Sequence, residues 1–281
     1  MPTRESPIAV FDSGVGGLTV FRALRRRLPA EHLVYFGDTA HVPYGTKSPD
    51  TVRRLTLAHL KFLAGRRVKG VVIACNTASA VALDGLAGRF PFPLIGVIDP
   101  GVRQALDRTR NGRIGVLGTS TTVRSGAYQR RIARMDRRAR VHAAACPLFV
   151  PLVEEGWSGH EVARRIAVEY LRPLRRARVD TVILGCTHYP LLAPTLRRVL
   201  GTRVTLVDSA EAVAGATERR LAGLGLLRNR GGRGRETFYL TDTGGQFPLV
   251  ARQFLGKPIT RLVGVTVRVE ATSDVAVRGK R

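Results

Sequence analysis

Two stretches of the sequence each carry an apolar run into a cysteine. VVIACNTASA (residues 71–80) passes from Val71, Val72, Ile73 and Ala74 to Cys75, Asn76 and Thr77, and TVILGCTHYP (residues 181–190) leads to Cys186, Thr187 and His188. A single thiol beside a histidine would suggest a nucleophile that forms a thioester. Two equivalent thiols suggest another use. With a carbon acid held between them, one thiolate removes a proton from one face while the other thiol delivers a proton to the opposite face, and the centre inverts. A free thiol titrates near about 8.5, so a base role needs a polar or cationic setting. His188 and the hydrogen-bonding side chains beside the thiols could supply one. Asp12 in FDSG and Asp38 in FGDT also follow apolar runs. Each is suited to accept hydrogen bonds from a substrate ammonium or to orient a thiol. General acid/base catalysis of this kind contributes about 10²- to 10⁴-fold, and the rest must come from positioning and from stabilising the developing carbanion.

Such groups need a scaffold that brings both cysteines to one place. Short β-rich runs (residues 8–11, 33–36, 70–74 and 94–98) alternate with stretches of helical period such as 17–28 and 49–64. A second set of strands falls at 113–117, 140–145, 180–184 and 204–207. This alternation predicts α/β architecture with mostly parallel sheets. The two sets superimpose: IAVFDSG at Ile8 matches IGVLGTS at Ile114, Val42-Pro43 matches Val150-Pro151, Cys75 matches Cys186 and Asp99 matches Asp208, all at separations between 106 and 111 residues. Duplicated, pseudo-symmetric α/β lobes follow, spanning residues 1–98 plus 210–281 and residues 99–209. Ligands bind beyond the carboxyl ends of strands in open α/β sheets. Lobes facing each other would therefore set Cys75 and Cys186 across one cleft. The stretch 211–264 is expected to pack back on the first lobe, with the glycine and arginine run 228–236 as a flexible loop.

Composition limits the alternatives. At 281 residues with 44% hydrophobic content, the chain is long enough for two buried cores. It has no apolar run of the about 18 residues that a membrane span needs and no signal-peptide profile, so a cytoplasmic location without membrane contact is expected. Three cysteines without close spacing argue against a disulfide framework or a CxxC metal site. The formal charge is +25, and only Lys47, Lys61, Lys69, Lys257 and Lys280 among the 46 basic residues are lysine. Such a surface attracts polyanions by counterion release. No zinc finger or aromatic RNA motif accompanies it, so nucleic acid is not expected to be the primary partner. Cys146 reads as a small buried hydrophobe and His41 as an ordinary hydrogen-bonded residue. The DSGVGG loop fits neither GxGxxG nor GxxxxGK[ST], and its glycines suit a tight strand-to-helix turn whose helix N-terminus is open to a carboxylate.

Together, FDSGVGGLTV, YFGDTAHVPYGTKS, ACNTASA, CPLFVPLVEEG, LGCTHYPLL and LVDSAEAVA closely resemble motifs of the glutamate racemases, enzymes that supply D-glutamate for bacterial cell-wall synthesis. The resemblance runs from about Ile8 to Leu255. It implies an active site between two α/β lobes, no cofactor such as pyridoxal phosphate, no metal, glutamate as substrate and a homodimer. It makes Cys75 and Cys186 the acid/base thiols, with Asp12 assisting on the Cys75 side and Glu154 and His188 among the proton-transfer assistants, His188 on the Cys186 side. It places Asp12, Ser13, Tyr44, Gly45, Asn76, Thr77, Thr187 and His188 around the substrate's ammonium and carboxylates. The segment from about Glu270 to Arg281 has no counterpart in that pattern. Alternatives within and beyond this chemistry are an aspartate or broader racemase, a cysteine hydrolase or lyase, and a racemase scaffold binding nucleic acid or a topoisomerase.

Overall fold

A computed structural model describes residues 2–229, 231–244, 247–259 and 261–270. Strands β1 (Ile8–Asp12), β2 (Leu33–Gly37), β3 (Gly70–Ile73) and β4 (Leu94–Gly96) lie in one sheet in the order β2-β1-β3-β4. Strands β5 (Arg113–Gly118), β6 (Arg140–Ala145), β7 (Thr181–Gly185) and β8 (Thr205–Val207) form a second sheet in the order β6-β5-β7-β8. All neighbours are parallel. The duplication is visible in the register. Ile8 lies between Leu33 and Gly70, and its counterpart Ile114 lies between Val141 and Thr181, partners 108 and 111 residues further on. Two further parallel strands, β9 (Glu236–Leu240) and β10 (Leu262–Gly264), extend the first sheet beyond β2.

The strands that carry the site are apolar apart from Asp12 and Thr181 at their ends because helices cover both faces of each sheet. All residues of β1, β2, β3 and β7 are buried. The covering helices show one-sided apolar faces: Leu18–Arg27 buries Leu18, Val20, Phe21 and Leu24, and Pro49–Gly65 buries Val52, Leu55, Leu60 and Leu63. The latter starts at Ser48, whose Oγ accepts from the Thr51 N–H at 3.2 Å, with proline in the first turn.

Two expectations change on folding. The helix Ser209–Gly223 packs on Leu18–Arg27 and also on Ile98–Arg108, so it bridges the two sheets' helical layers and does not serve the first alone. The glycine and arginine run is held down where it is described: the Arg228 guanidinium donates to the Ala30 carbonyl at 2.8 Å, its amide donates to Glu31 Oε1, and Gly234 donates to the Pro29 carbonyl at 2.9 Å. Arg230 and residues 271–281, including most of the C-terminal segment singled out above, lie outside the described residues. No helix among the described residues is long and apolar enough to cross a membrane.

Candidate active site

Cys75 lies two residues past the end of β3 and caps the helix Asn76–Val81, its Sγ accepting from the Ala78 N–H at 3.5 Å. The thiol donates to Ser13 Oγ at 3.5 Å. Cys186 occupies the matching place after β7, with Sγ 3.9 Å from His188 Nδ1. Both thiols are buried and line one cavity of about 370 Å³. Ser13, Tyr44, Gly45, Asn76, Thr77, Glu154, Thr187 and His188 line it as well. The strand-end rule thus acts twice, once from each sheet, on a shared space.

Asp12 and Asp38 stand elsewhere. Asp12 ends β1 and is fully buried, outside the set of residues that line the cavity. Its Oδ2 accepts from the Gly14 N–H at 3.1 Å, while Oδ1 has no hydrogen-bond partner among the described residues. Burial pushes this carboxyl up, against the opposing pull of His188 and of the turn's amides. Asp38, expected to face a substrate or orient a thiol, does neither. It is fully buried and takes hydrogen bonds from the Tyr44 hydroxyl at 2.6 Å, Thr241 Oγ1 at 2.8 Å and His41 Nδ1 at 2.7 Å. One residue past the end of β2, Asp38 anchors the turn that carries Tyr44 to the cavity. Tyr44 accordingly presents its ring to the cavity and its hydroxyl to the protein interior. Burial holds the neighbouring His59 imidazole down to about 4, so it is neutral.

The two thiols have different company. Burial and the Asp12 carboxylate push the Cys75 thiol up to about 12, which keeps it protonated near neutrality. On the other side, burial disfavours the charged form of His188, but its hydrogen bonds to Cys186 and Glu154 outweigh that and raise it to about 10. The Glu154 bond is 2.8 Å, from His188 Nε2 to Oε1. A cation is therefore held 3.9 Å from Cys186 Sγ, charge-complementary to a sulfur that becomes negative. One wall holds an acid and the other a sulfur with a fixed counter-ion.

Side chains from both halves meet around the cavity. Thr77 Oγ1 lies 3.0 Å from Thr119 Oγ1 and 3.2 Å from Thr122 Oγ1, and the Tyr128 hydroxyl donates to Asn76 Oδ1 at 2.6 Å. Two glycines permit the approach. A Cβ on Gly16 would come within 2.3 Å of Thr187 Oγ1 and 2.6 Å of His188 Nδ1, and one on Gly45 within 2.6 Å of the Thr119 side chain. The DSGVGG glycines thus admit the second half of the molecule as well as a tight turn. Thr119 and Ser120, which also line the cavity, escaped sequence reasoning. The repeat contained the signal, because IGVLGTS aligns Thr119 with Ser13. Val42-Pro43 and Val150-Pro151, matched in the repeat, both supply apolar wall.

Residues 9–217 match the family model described as Asp/Glu/Hydantoin racemase. The chain belongs to this racemase family. It is 48% identical to the glutamate racemase of Geobacter metallireducens over 263 residues, covering 94% of this chain and 97% of the relative. Among solved structures it is similar to a glutamate racemase isoform from Bacillus anthracis, at 37% identity and a TM-score of 0.91 over 95% of this chain and all of that one (100%). The Francisella tularensis glutamate racemase in complex with D-glutamate superimposes with a TM-score of 0.89 at 35% identity, covering 94% of this chain and 98% of that chain. Two mostly parallel sheets with a cleft between them are therefore the racemase architecture of this family.

Proposed function

We infer that this chain interconverts L- and D-glutamate without a cofactor, as an isomerase that supplies D-glutamate for peptidoglycan. The observation that carries the reading is the pair of repeat-equivalent thiols lining one cavity. The names of the relatives give the substrate. From L-glutamate, the Cys186 thiolate takes the α-proton, and the C–H electron pair passes into the α-carboxylate as a carbanion or enediolate. The Cys75 S–H then gives its proton to the opposite face, leaving D-glutamate, a Cys75 thiolate and a Cys186 thiol. The reverse reaction restores the starting state. The assignment of faces follows the family resemblance, and the protonated state of Cys75 agrees with it.

His188, braced by Glu154, balances the charge of Cys186. Asp12 acts behind Cys75, where its carboxylate keeps the sulfur a strong base once deprotonated. Ser13, Asn76, Thr77 and Thr187 offer hydrogen bonds to the carboxylates and ammonium, and Tyr44 and Gly45 close the wall. The protein acts in the cytoplasm, a reading supported by three free thiols. It also pairs as a homodimer, for which Leu148, Trp157 and Val162, exposed within one stretch of the second half, offer apolar surface. Sedimentation velocity decides this: a single monomeric species at micromolar concentration rejects it.

The direct test follows the circular dichroism of each glutamate enantiomer with purified protein and no added cofactor. Both signals should decay to zero. A folded preparation inert on both, or one that needs pyridoxal phosphate, overturns the reading.

A further inference from the structure

Behind the wall that Tyr44 presents to the cavity lie three potential metal ligands. Asp38 Oδ1, His41 Nδ1 and one ring nitrogen of His59 lie within 4.8 Å of one another. Asp38 and His59 are fully buried, whereas the His41 side chain is 41% exposed and gives a path from solvent.

The hydrogen bonding fixes which His59 nitrogen is available. The Tyr44 hydroxyl has one proton and gives it to Asp38 Oδ2 at 2.6 Å. With that proton committed, the tautomer that lets His59 donate to the Tyr44 oxygen, 3.3 Å away, is the one with its ring proton on Nδ1. His59 Nε2 is left with a lone pair. It is buried without a hydrogen-bond partner and stands 3.5 Å from Asp38 Oδ1. Two electron-rich atoms facing each other in a dry interior repel unless a cation lies between them.

We propose that Asp38, His41 and His59 form a binding site for a divalent transition ion of the zinc class, with solvent completing the coordination at the His41 side. Zinc accepts imidazole and carboxylate together, and its bond lengths of about 2.0–2.2 Å separate tetrahedral ligand atoms by roughly 3.3 Å. The Asp38 Oδ1–His59 Nε2 spacing of 3.5 Å is close to that, whereas His41 Nδ1, 2.7 Å from Oδ1, has to draw back when the ion displaces the shared proton. An outer set of partners is in place: Tyr44 orients both Asp38 and His59, and Thr241 Oγ1 donates to Asp38 at 2.8 Å. The ion replaces the proton that His41 Nδ1 shares with Asp38. The site holds no reacting atom. It ties the turn carrying Tyr44 to the end of β2 and to the helix Pro49–Gly65, and so stiffens one wall of the cleft.

The test is titration of metal-free, full-length protein with Co²⁺ by absorption spectroscopy and with Zn²⁺ by calorimetry. One equivalent should bind with ligand-field bands but no thiolate-to-cobalt charge-transfer band. Binding should persist in the Cys75→Ser/Cys186→Ser double variant, weaken at least about tenfold in His41→Ala, and vanish in His59→Gln that retains wild-type circular dichroism. If His59→Gln does not fold, the partly exposed His41→Ala carries the test alone. A charge-transfer band, loss of binding in the double cysteine variant, or wild-type affinity in His41→Ala would each overturn the site.

Discussion

At the scale of single residues, the division of labour between the thiols can be separated from the overall rate. Cys→Ser leaves a hydroxyl far too weakly acidic to serve as a comparable base. Racemisation should collapse in both variants. With an analogue that loses a β-leaving group after α-proton abstraction, Cys75→Ser should retain elimination from the L-form and lose it from the D-form, and Cys186→Ser should do the reverse. Equal loss for both enantiomers in both variants would indicate one nucleophilic thiol. His188 gives a second prediction. It is held at about 10 instead of 6.5, so its protonated form is favoured on folding. The associated stability is complete below pH 6.5 and fades as pH rises through about 10. Glu154→Gln removes one of the partners responsible. Its stability deficit, about 1 kcal/mol after allowing for the partial exposure of Glu154, should be largest just below pH 6.5 and shrink toward pH 10 in urea titrations, alongside a kcat loss of about tenfold. A deficit independent of pH would place the effect elsewhere.

At the scale of elements, the two strand ends act through the turns that follow them. Gly16 is the point where the turn after β1 meets Thr187 and His188. A methyl group there has no room unless one half of the molecule shifts. Gly16→Ala should cost about 1–3 kcal/mol and reduce turnover more than a surface glycine substitution such as Gly85→Ala, where a Cβ meets nothing within 4 Å. Chemical denaturation paired with the circular dichroism assay reads both. If Gly16→Ala matches Gly85→Ala in stability and rate, the contact between the halves is looser than described.

At the scale of the whole molecule, the dominant feature outside the cleft is charge. Basic residues outnumber acidic ones by 46 to 21. Many arginines occupy exposed helix faces, paired at short range with the few carboxylates, as in Arg164 and Arg165 with Glu161. Any binding of duplex DNA by such a surface should run through the phosphates alone. Binding should be weak, steeply salt-dependent and without effect on racemisation in a fluorescence anisotropy titration run beside the rate assay. Sequence-selective submicromolar binding at physiological salt would instead indicate a dedicated partner.

Sequence alone determined what repeats. Strand composition and the order of apolar runs specify a parallel sheet because buried parallel strands must be apolar throughout. A second copy at near-constant spacing specifies a second sheet of the same order. From that, the position of Cys75 and Cys186 at equivalent strand ends was legible, as were the motif residues around them. Direction and company were not. Asp12 and Asp38 look alike in sequence, each an acid after an apolar run, yet Asp12 holds the Gly14 turn and acts on Cys75 while Asp38 turns inward to hold Tyr44. The contacts of His188 with Glu154 and of Gly16 with Thr187 join residues distant along the chain. Periodicity reports which face of a strand or helix is buried. Which side chains meet across a cleft depends on how the two sheets pack together, and only the tertiary structure decides that.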